Sequence, residues 1–529
     1  MNNTVKVVEG QLYLNLSIPV DISCSPYYKA LSILLSDLDY SCFYSKNKKK
    51  QGRPFAIHPM KMIWLILYGI LNGCYTSRDI EGLASRDLIC MKELDLAIPD
   101  HSTITRFISG NHNNIQNIFG QLALKLRELN EVDSKCMFQD GTKIESASNK
   151  YKWVWRTGIE KSLDKGIAKL QQIADYLVLG FTITRDNLKE FWDLVETWMQ
   201  KNMIHFKAKG GKGRGRGLSL EQKIWVHVRT ELPKFLQYKE WIDLMISQNR
   251  KSLCKTDLDA TFMRMKEDYM KNGQLKPGYN MQNIVANGYI VATACLMDRS
   301  DFHTMVPAME KAYELFGDDI EQYCADSGYD CKENYQWLTD HDIDYFIKGQ
   351  YYEQDKKRKN KKDPSRKQNY TYDAGKDEFR CIRGKKLVNT GKVNKRGETS
   401  YQCTRGCKCC PMRKQCMKSA AKKFDYKVLT LDVETELYRR KSLENITTHE
   451  GCEIRANRSI QAEGSFALIK NVFQTRRFHY RGLENTETEW TLFCMAENVL
   501  RFSHRLRKDK VGTPFWYEIE DPEEEATAV

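Results

Sequence analysis

Two aspartates stand where carboxylates could hold metal ions. Asp140 and Asp326 each end a short apolar stretch that predicts a strand, and each opens a turn of small residues, Asp-Gly-Thr and Asp-Ser-Gly. Such strands bring their carboxylates to one edge of an α/β sheet, where ligands bind. Either Asp alone would be read as a turn former or a cap, and it is the repeated context that favours a site. Carboxylate oxygens suit Mg²⁺ or Mn²⁺.

A third acid completes the site if a helix carries it across the same edge. Glu463, Lys470 and Arg477 recur every seven residues, close to two turns each, which predicts that they lie along one helix face. That face would offer one carboxylate to a metal and two cations to phosphate. An ordinary charged helix surface has the same pattern. The residues predicted to pack inward are Ile460, Ala467, Leu468 and Val472, with the later Trp490 and Leu492.

Three carboxylates of this kind suit chemistry at phosphorus. They can hold two metal ions roughly 3.5 to 4 Å apart, one activating the attacking oxygen and one stabilising the leaving oxygen of an in-line displacement. With water as nucleophile the reaction nicks DNA, and with a freed 3′-hydroxyl it joins DNA to a new strand. Lys470 and Arg477 would orient the phosphate backbone and stabilise developing charge.

These residues need a sheet and a crossing helix to position them. Strand patterns end at Asp140 and Asp326 and recur over 279–285, 289–296 and 342–348, with a helical stretch over about 304–316. The order β, β, β, α, β, α, β indicates a mixed α/β sheet with crossover connections.

Short helices joined by tight turns dominate residues 1–130. Ser77 can cap one of them, and another starts near Ser102. This arrangement suits helix-turn-helix recognition of DNA, with Arg78 and Arg106 as the predicted contacts. An ordinary helical bundle fits the same spacing.

The charge of the chain favours an anionic partner. Lys and Arg number 83 against 69 Asp and Glu, a formal net charge of +14, which supports nucleic-acid binding but is also common in other proteins. Alternating Gly and basic residues over 207–217 predict a flexible linker facing DNA, with Lys212, Arg214 and Arg216 as contacts. The sequence contains neither a signal peptide pattern nor the roughly 20 apolar residues of a membrane span, so we expect a cytosolic protein.

Cysteines crowd a basic stretch between the second Asp and Glu463. The chain has 17 Cys, and a reducing cytosol argues against a disulfide framework. Their irregular spacing leaves two interpretations, a tetrahedral structural zinc site and free thiols in a packed subdomain. The zinc site would use four of Cys381, Cys403, Cys407, Cys410 and Cys416.

Several short motifs extend the pattern over roughly residues 55–505. They are His58-Pro59-Met60, Leu67-Tyr68-Gly69, Ser77-Arg78-Asp79-Ile80-Glu81 and Pro99 to Phe107, then Asp140 to Glu145, Lys276 to Gln282 and Ala325 to Tyr329, and last Arg458 to Glu463, Lys470, Arg476-Arg477-Phe478 and Arg481-Gly482-Leu483-Glu484. Together they resemble the DDE transposases of bacterial insertion sequences, which have an N-terminal transposase domain and an RNase H-like catalytic domain.

The resemblance implies metal-dependent DNA cleavage and strand transfer at the ends of an insertion sequence. Asp140, Asp326 and Glu463 would be the catalytic acids that bind Mg²⁺ or Mn²⁺, and Lys470 and Arg458 would be DNA contacts. It also implies terminal inverted repeats and target DNA as partners, a homodimer in the synaptic complex and a place near the bacterial nucleoid. An RNase H-like nuclease without strand transfer and a non-catalytic DNA-binding regulator are the alternatives.

We therefore predict an RNase H-like mixed α/β sheet flanked by helices, with an all-helical N-terminal domain and insertions. The predicted domains are a helical DNA-binding domain at 1–130, the first two parts of the catalytic domain at 131–160 and 275–350, a helical insertion with a Gly/Arg-rich loop at 161–274, a basic Cys-rich insertion at 351–440, the acid-bearing helix at 441–510 and an acidic tail at 511–529.

Overall fold

The structure is a computed structural model that describes residues 22, 25–44, 56–149, 151–206, 217–265, 273 and 275–513. These residues belong to two compact units, one within Met1–Asp133 and Leu492–Val529 and the other within Ser134–Thr491. The sequence assigned 441–510 to a single domain, whereas the division between the units falls at Leu492, inside that range. The predicted DNA contacts Lys212, Arg214 and Arg216 lie outside the described residues.

The first unit is helical, as predicted for the N-terminal region. Its helix α2 is buried on all sides, because every residue from Met62 to Ile70 is buried. The N-terminal helices are α1 (Pro26–Leu35), α2 (Pro59–Leu71), α3 (Ser77–Ala84), α4 (Leu88–Glu93), α5 (His101–Gly110) and α6 (His112–Glu128).

The residue that caps the N-terminus of α3 lies one position before the predicted residue. The cap is Thr76 rather than Ser77, because Thr76 Oγ1 accepts from Asp79 N and Asp79 Oδ2 accepts from Thr76 N, which closes a capping box. The Ser77 hydroxyl instead accepts from Thr105 Oγ1 at 3.1 Å and so joins α3 to α5.

The second unit is built on a six-stranded mixed sheet. Its strands are β1 (Cys136–Glu145), β4 (Thr261–Arg264), β5 (Leu275–Ala286), β6 (Tyr289–Leu296), β7 (Gln322–Ala325) and β8 (Asp344–Ile347). The order is β4-β5-β1-β7-β8, and β6 also pairs with β5. Strands β1, β7 and β8 are parallel, whereas β5 is antiparallel to β1, β4 and β6. The predicted mixed α/β fold class is confirmed, and it is consistent with an RNase H-like domain.

A helical insertion separates β1 from β4. It has a core of its own, to which Leu163, Phe191 and Val228 each contribute one fully buried side chain. The insertion consists of β2 (Trp153–Trp155), α7 (Arg156–Tyr176), α8 (Leu188–Lys201), α9 (Leu220–Ser247) and β3 (Ser252–Cys254), with β2 and β3 paired.

A second sheet follows β8, and the sequence did not predict it. Its five antiparallel strands are β9 (Thr371–Asp373), β10 (Glu378–Arg380), β11 (Lys386–Val393), β12 (Thr399–Cys403) and β13 (Val428–Leu431), in the order β13-β12-β11-β10-β9. The short helix α14 (Arg413–Met417) lies between β12 and β13. We call residues 370–431, with this sheet and α14, the cysteine subdomain.

The basic stretch before this subdomain, residues 352–367, has regular secondary structure. It contains two short helices, α12 (Tyr352–Asp355) and α13 (Arg358–Lys361). An ion pair of 2.7 Å joins Arg366 to Asp355, and the Lys356 ammonium lies 4.3 Å from the centre of the Tyr352 ring. Ion pairs and cation–π contacts stabilise this stretch. Such contacts do not require regularly spaced apolar residues, so the sequence pattern did not reveal the two helices.

Helices cover the central sheet and one of its edges. The remaining helices are α10 (Met305–Phe316), α11 (Lys332–Asp340), α15 (Val433–Thr447), α16 (His449–Arg458), α17 (Gly464–Ala467) and α18 (Leu483–Arg507). Helix α15 lies along β8, where the Ser442 hydroxyl accepts from Ile347 N at 3.0 Å and donates to Ile347 O at 2.7 Å. This side chain satisfies backbone groups that an open sheet edge would leave unpaired.

Two π-helical turns interrupt the helix that begins at α16. Ser459–Glu463 precedes α17 and Leu468–Val472 follows it. Each π turn contains more residues than an α turn and rotates the following side chains. The predicted inward face is therefore wrong: Ile460 and Val472 are 60% and 50% exposed, and Phe466 and Ile469 are buried in their place.

Candidate active site

Asp140 on β1 and Asp326, the residue directly after β7, occupy equivalent positions relative to the ladder between these two parallel strands. The ladder between β1 and β7 ends with Phe138 opposite Cys324. Each Asp lies two residues beyond that pair, so both continue the same face of the sheet. Both carboxylates are partly buried, and each accepts from a nearby backbone N–H, Gly141 N at 2.8 Å and Gly328 N at 2.7 Å.

The sequence predicted that the first strand ends at Asp140, but β1 continues past this residue. It runs on to Glu145, because β5 pairs with it over eight residues and places Asn283 opposite Asp140. The parallel neighbour β7 stops at Ala325. Asp140 therefore lies in the middle of β1, two residues after the last residue of β1 that pairs with β7.

A fourth carboxylate, Asp301, reaches this region from the loop before α10. Its Oδ1 accepts from Asn280 Nδ2 at 2.8 Å and from Gln282 Nε2 at 3.2 Å. A Cβ placed on Gly328 would lie 2.9 Å from Asp326 Oδ1 and 3.4 Å from Asp301 Oδ2, so these two carboxylates flank the glycine.

The small residues after both aspartates leave room for Asp301. A Cβ placed on Gly141 would lie 3.0 Å from Asp301 Oδ1 and would collide with the Gln282 side chain. The sequence patterns did not single out Asp301, because it lies in a loop before a helix, where a capping Asp is ordinarily found. The available signal was in β5, where Asn280 and Gln282 are polar residues in a buried strand and need a partner.

The pKa of the buried Tyr329 hydroxyl is affected by the negative charges of the nearby carboxylates. Burial, together with the charges of Tyr323, Asp301, Asp140 and Asp326, raises its pKa well above the ordinary value. The Tyr329 hydroxyl therefore stays protonated and donates to Gln282 Oε1 at 2.5 Å. It belongs to a buried network in which Gln139 Nε2 also donates to Gln282 Oε1, at 2.9 Å.

Glu463 is the last residue of the first π turn. Its carboxylate accepts from Arg458 Nη2 at 2.9 Å, and its side chain is 57% exposed against 16% for Arg458. Burial raises the pKa of Cys324 to about 12, an effect that the Arg458 guanidinium opposes. The Arg458 charge thus lies near the β7 residue two positions before Asp326.

The helix that carries Glu463 crosses the face of the sheet to which Asp140 belongs. Ser459–Glu463 packs against β1 and β5, and Gln461 Oε1 accepts from Gly288 N in the β5–β6 turn at 3.0 Å. On the same face Trp490 Nε1 donates to Asn283, the residue opposite Asp140, at 2.8 Å. The fold therefore brings the Glu463 segment to the sheet region that contains Asp140.

A basic cleft lies at the far end of β1. Lys143, Lys276, Lys470 and Arg476 line it together with Glu145, and we call these four cations and their surface the basic cleft. Lys276 Nζ is 2.8 Å from Glu145 Oε2, so one cation is paired within the cleft.

Arg477 does not share a helix face with Glu463 and Lys470. The helix ends at Val472, and Arg477 follows in an extended segment that bridges to Glu145. Its guanidinium donates to the backbone oxygens of Ser146 at 3.2 Å and Ser148 at 2.8 Å. The predicted seven-residue spacing fails because it assumes an α-helix that continues to Arg477.

Arg78 and Arg106 lie on helices α3 and α5 of the first unit, and both are exposed. The two helices are tied together by His101, whose Nδ1 lies 2.8 Å from Glu81 Oε2 and whose backbone N–H donates to the same oxygen at 3.2 Å. The two arginines are thus presented by a braced pair of short helices.

Two further groups in the second unit have metal-ligand chemistry. His303, Cys331 and Glu333 have ligand atoms that all lie within 4.8 Å of one another, and they form a possible metal-binding triad. The Cys331 thiol of this triad also donates a hydrogen bond to Phe302 O at 3.0 Å. The second group is the set of cysteines in the cysteine subdomain.

Two protein-family models match the chain. A transposase DDE domain matches residues 380–503, a range that includes Glu463 and most of the cysteine subdomain. A transposase domain (DUF772) matches residues 28–110, which include most of α1 and all of α2 to α5. No curated protein matches the chain. Within the described ranges, no helix is both long enough and apolar enough to cross a membrane.

Proposed function

Because the chain belongs to the insertion-sequence DDE transposases, we propose that it cuts DNA at the ends of its element and joins the freed ends to target DNA. The observation that carries this proposal is the register of Asp140 and Asp326, two residues beyond the last pair of a parallel ladder. A segment bearing a third acid, Glu463, packs against the same strand.

In this proposal Asp140, Asp326 and Glu463 bind divalent metal ions. The donor set fits Mg²⁺ or Mn²⁺, because it is made of carboxylate oxygens at an accessible end of the sheet. Metal ions held by these carboxylates would supply activation of the attacking oxygen and stabilisation of the leaving oxygen of a phosphodiester. The backbone N–H groups of Gly141 and Gly328 hold the two aspartates, each by one carboxylate oxygen.

Arg458 is proposed to position Glu463 rather than to contact DNA directly. Its side chain is mostly buried and its guanidinium bonds the Glu463 carboxylate. The salt bridge holds an otherwise exposed side chain on a helical segment that packs against β1 and β5. Metal binding would compete with Arg458 for the same carboxylate.

The basic cleft is the proposed binding surface for a DNA backbone phosphate. Three of its cations come from separate segments, Lys143 on β1, Lys470 on the second π turn and Arg476 after it. Clustered cations release counterions from DNA when they contact phosphates.

We further propose that Arg78 and Arg106 contact terminal repeats, and that two copies of the chain act together to hold two element ends.

Replacing Lys470 by Gln should weaken DNA binding with little dependence on sequence. The slope of log K against log salt concentration should fall in magnitude by about 0.9, as expected for one lost phosphate contact. The measurement is a salt titration of binding to labelled duplexes. Lys169→Gln, at an exposed position on α7, is the matched control. Equal slopes for the two variants would remove Lys470 from the interface.

The proposed function is tested with DNA that carries the element's own ends. Purified protein is incubated with labelled end duplexes and a target plasmid in Mg²⁺ or Mn²⁺, with a chelator as control. Cleavage at the end together with covalent joining to the plasmid is the expected result. Cleavage without joining would favour a nuclease, and binding without either reaction would favour a DNA-binding regulator.

A further inference from the structure

Five cysteines of the cysteine subdomain line one small cavity. Its volume is about 30 Å³, comparable to the space of one water molecule and too small for an organic ligand. Such a space fits a single ion. The lining cysteines are Cys381, Cys403, Cys407, Cys410 and Cys416.

Tight turns present three of these thiols at the end of the sheet. Cys381 follows β10, in a turn closed by Gly384 N donating to Cys381 O at 2.7 Å. Cys407 and Cys410 are separated by two residues, and Cys410 N donates to Cys407 O at 3.2 Å. The sequence interpretation overlooked this pair because Cys409, which is exposed, lies inside it. Two thiols at this spacing can face a common ion.

The fourth thiol comes from α14. Cys416 Sγ donates to Pro364 O at 3.3 Å and lies 3.3 Å from the Tyr370 hydroxyl. Cys416 and Tyr370 line the same cavity as Cys381 and Cys407.

Cys403 is buried, whereas the other four cysteines are partly exposed. It lies on β12 with 1% exposure and packs in the core of the subdomain, which also contains Phe379 and Leu387. A neutral thiol in an apolar core is the ordinary state of a buried cysteine.

Cationic side chains surround the cavity. Arg383, Lys385, Arg413 and Lys427 all contribute to its lining. Positive charge nearby stabilises thiolates, and four thiolates around a divalent ion carry a net charge of about −2 that such a lining would balance.

We propose that Cys381, Cys407, Cys410 and Cys416 bind one structural Zn²⁺ ion. The ion displaces four thiol protons and closes a tetrahedral site, which leaves no position for substrate. Closing it requires Cys416 to exchange its bond to Pro364 O for the metal. The ion would join the β10 turn to the segment 407–416, which connects β12 to α14 and has few apolar residues to hold it.

The test measures zinc in the full-length protein, expressed with zinc supplied and purified under reducing conditions. Elemental analysis should find about one zinc per chain. Cys407→Ser and Cys410→Ser should each lose it, whereas Cys403→Ser and Cys409→Ser should keep it. Wild-type protein without zinc would overturn the site, and loss in Cys403→Ser with retention in Cys410→Ser would overturn the choice of ligands.

Cobalt substitution covers the case in which a serine variant fails to fold. The wild-type protein with Co²⁺ in place of zinc should give the charge-transfer and d–d absorption of a tetrahedral four-thiolate site. Octahedral spectra, or spectra without thiolate-to-metal bands, would contradict the proposal without reference to any variant. DNA cleavage does not enter either measurement, so the result is independent of the proposed catalytic function.

Discussion

Replacing Asp140 by Asn should reduce both DNA cleavage and strand transfer by on the order of 10³-fold or more. Asn keeps the size of the side chain and an oxygen that can accept from Gly141 N, now at 2.8 Å. The change removes the negative charge that a divalent metal requires. DNA affinity should stay close to that of the wild type, because the basic cleft is untouched. The measurement is single-turnover cleavage of a labelled end duplex, with binding followed in Ca²⁺.

The matched control for this variant is Asp340→Asn. Asp340 is exposed at the C-terminal end of α11, in the same unit as Asp140 and Asp326. Both variants lose one negative charge from the unit, so a general electrostatic effect on DNA binding would appear in both. Cleavage by Asp140→Asn at the rate of Asp340→Asn would exclude Asp140 from the metal site.

The part of the site that the sequence predicted depends on local patterns. An apolar stretch followed by an acid and a small residue was visible at both Asp140 and Asp326, and the fold aligns the two. The mixed sheet followed from the same strand patterns. The predicted turn after Asp140 does not form. Pairing with β5 extends the strand past the Asp-Gly pair, and this long-range interaction is not visible in the local sequence.

The part that the sequence missed depends on contacts between distant segments. Asp301 is defined by bonds to Asn280 and Gln282, and no spacing rule connects a loop to a strand that precedes it by about twenty residues. The face of the Glu463 helix was misassigned because two π turns break the α-helical period. The strands of the cysteine subdomain are short and carry many charges, so their alternation was not recognised.

The π turns bear on function as well as on prediction. Glu463 closes one such turn, and Lys470 lies in the other. An insertion of this kind in a regular helix is retained where it serves to aim a side chain. Here it buries Gln461 and Ala462 against the sheet while the side chain of Glu463 remains accessible. In the proposed function this exposure leaves the acid available for a metal, and the ion pair with Arg458 holds it until a metal binds.

Replacing Asp301 by Asn should raise the metal concentration needed for half-maximal cleavage by about 10- to 100-fold, the usual cost of losing a group that supports a metal site. Asp301 and Asp326 flank Gly328, so the charge of Asp301 adds to the field that attracts a cation there. An amide keeps the oxygen that accepts from Asn280 and Gln282. The rate at saturating Mn²⁺ should therefore recover most of the wild-type value. Metal titrations of single-turnover cleavage measure both quantities.

Asp298→Asn provides the control, since Asp298 is an exposed acid in the same loop. A purely structural role for Asp301 would lower the rate at every metal concentration and leave the midpoint of the titration unchanged. A shifted midpoint with a restored maximum is expected only if the Asp301 charge contributes to metal binding. If Asp301→Asn and Asp298→Asn share the wild-type midpoint, the metal site does not extend to Asp301, and its carboxylate serves only the hydrogen-bond network of β5.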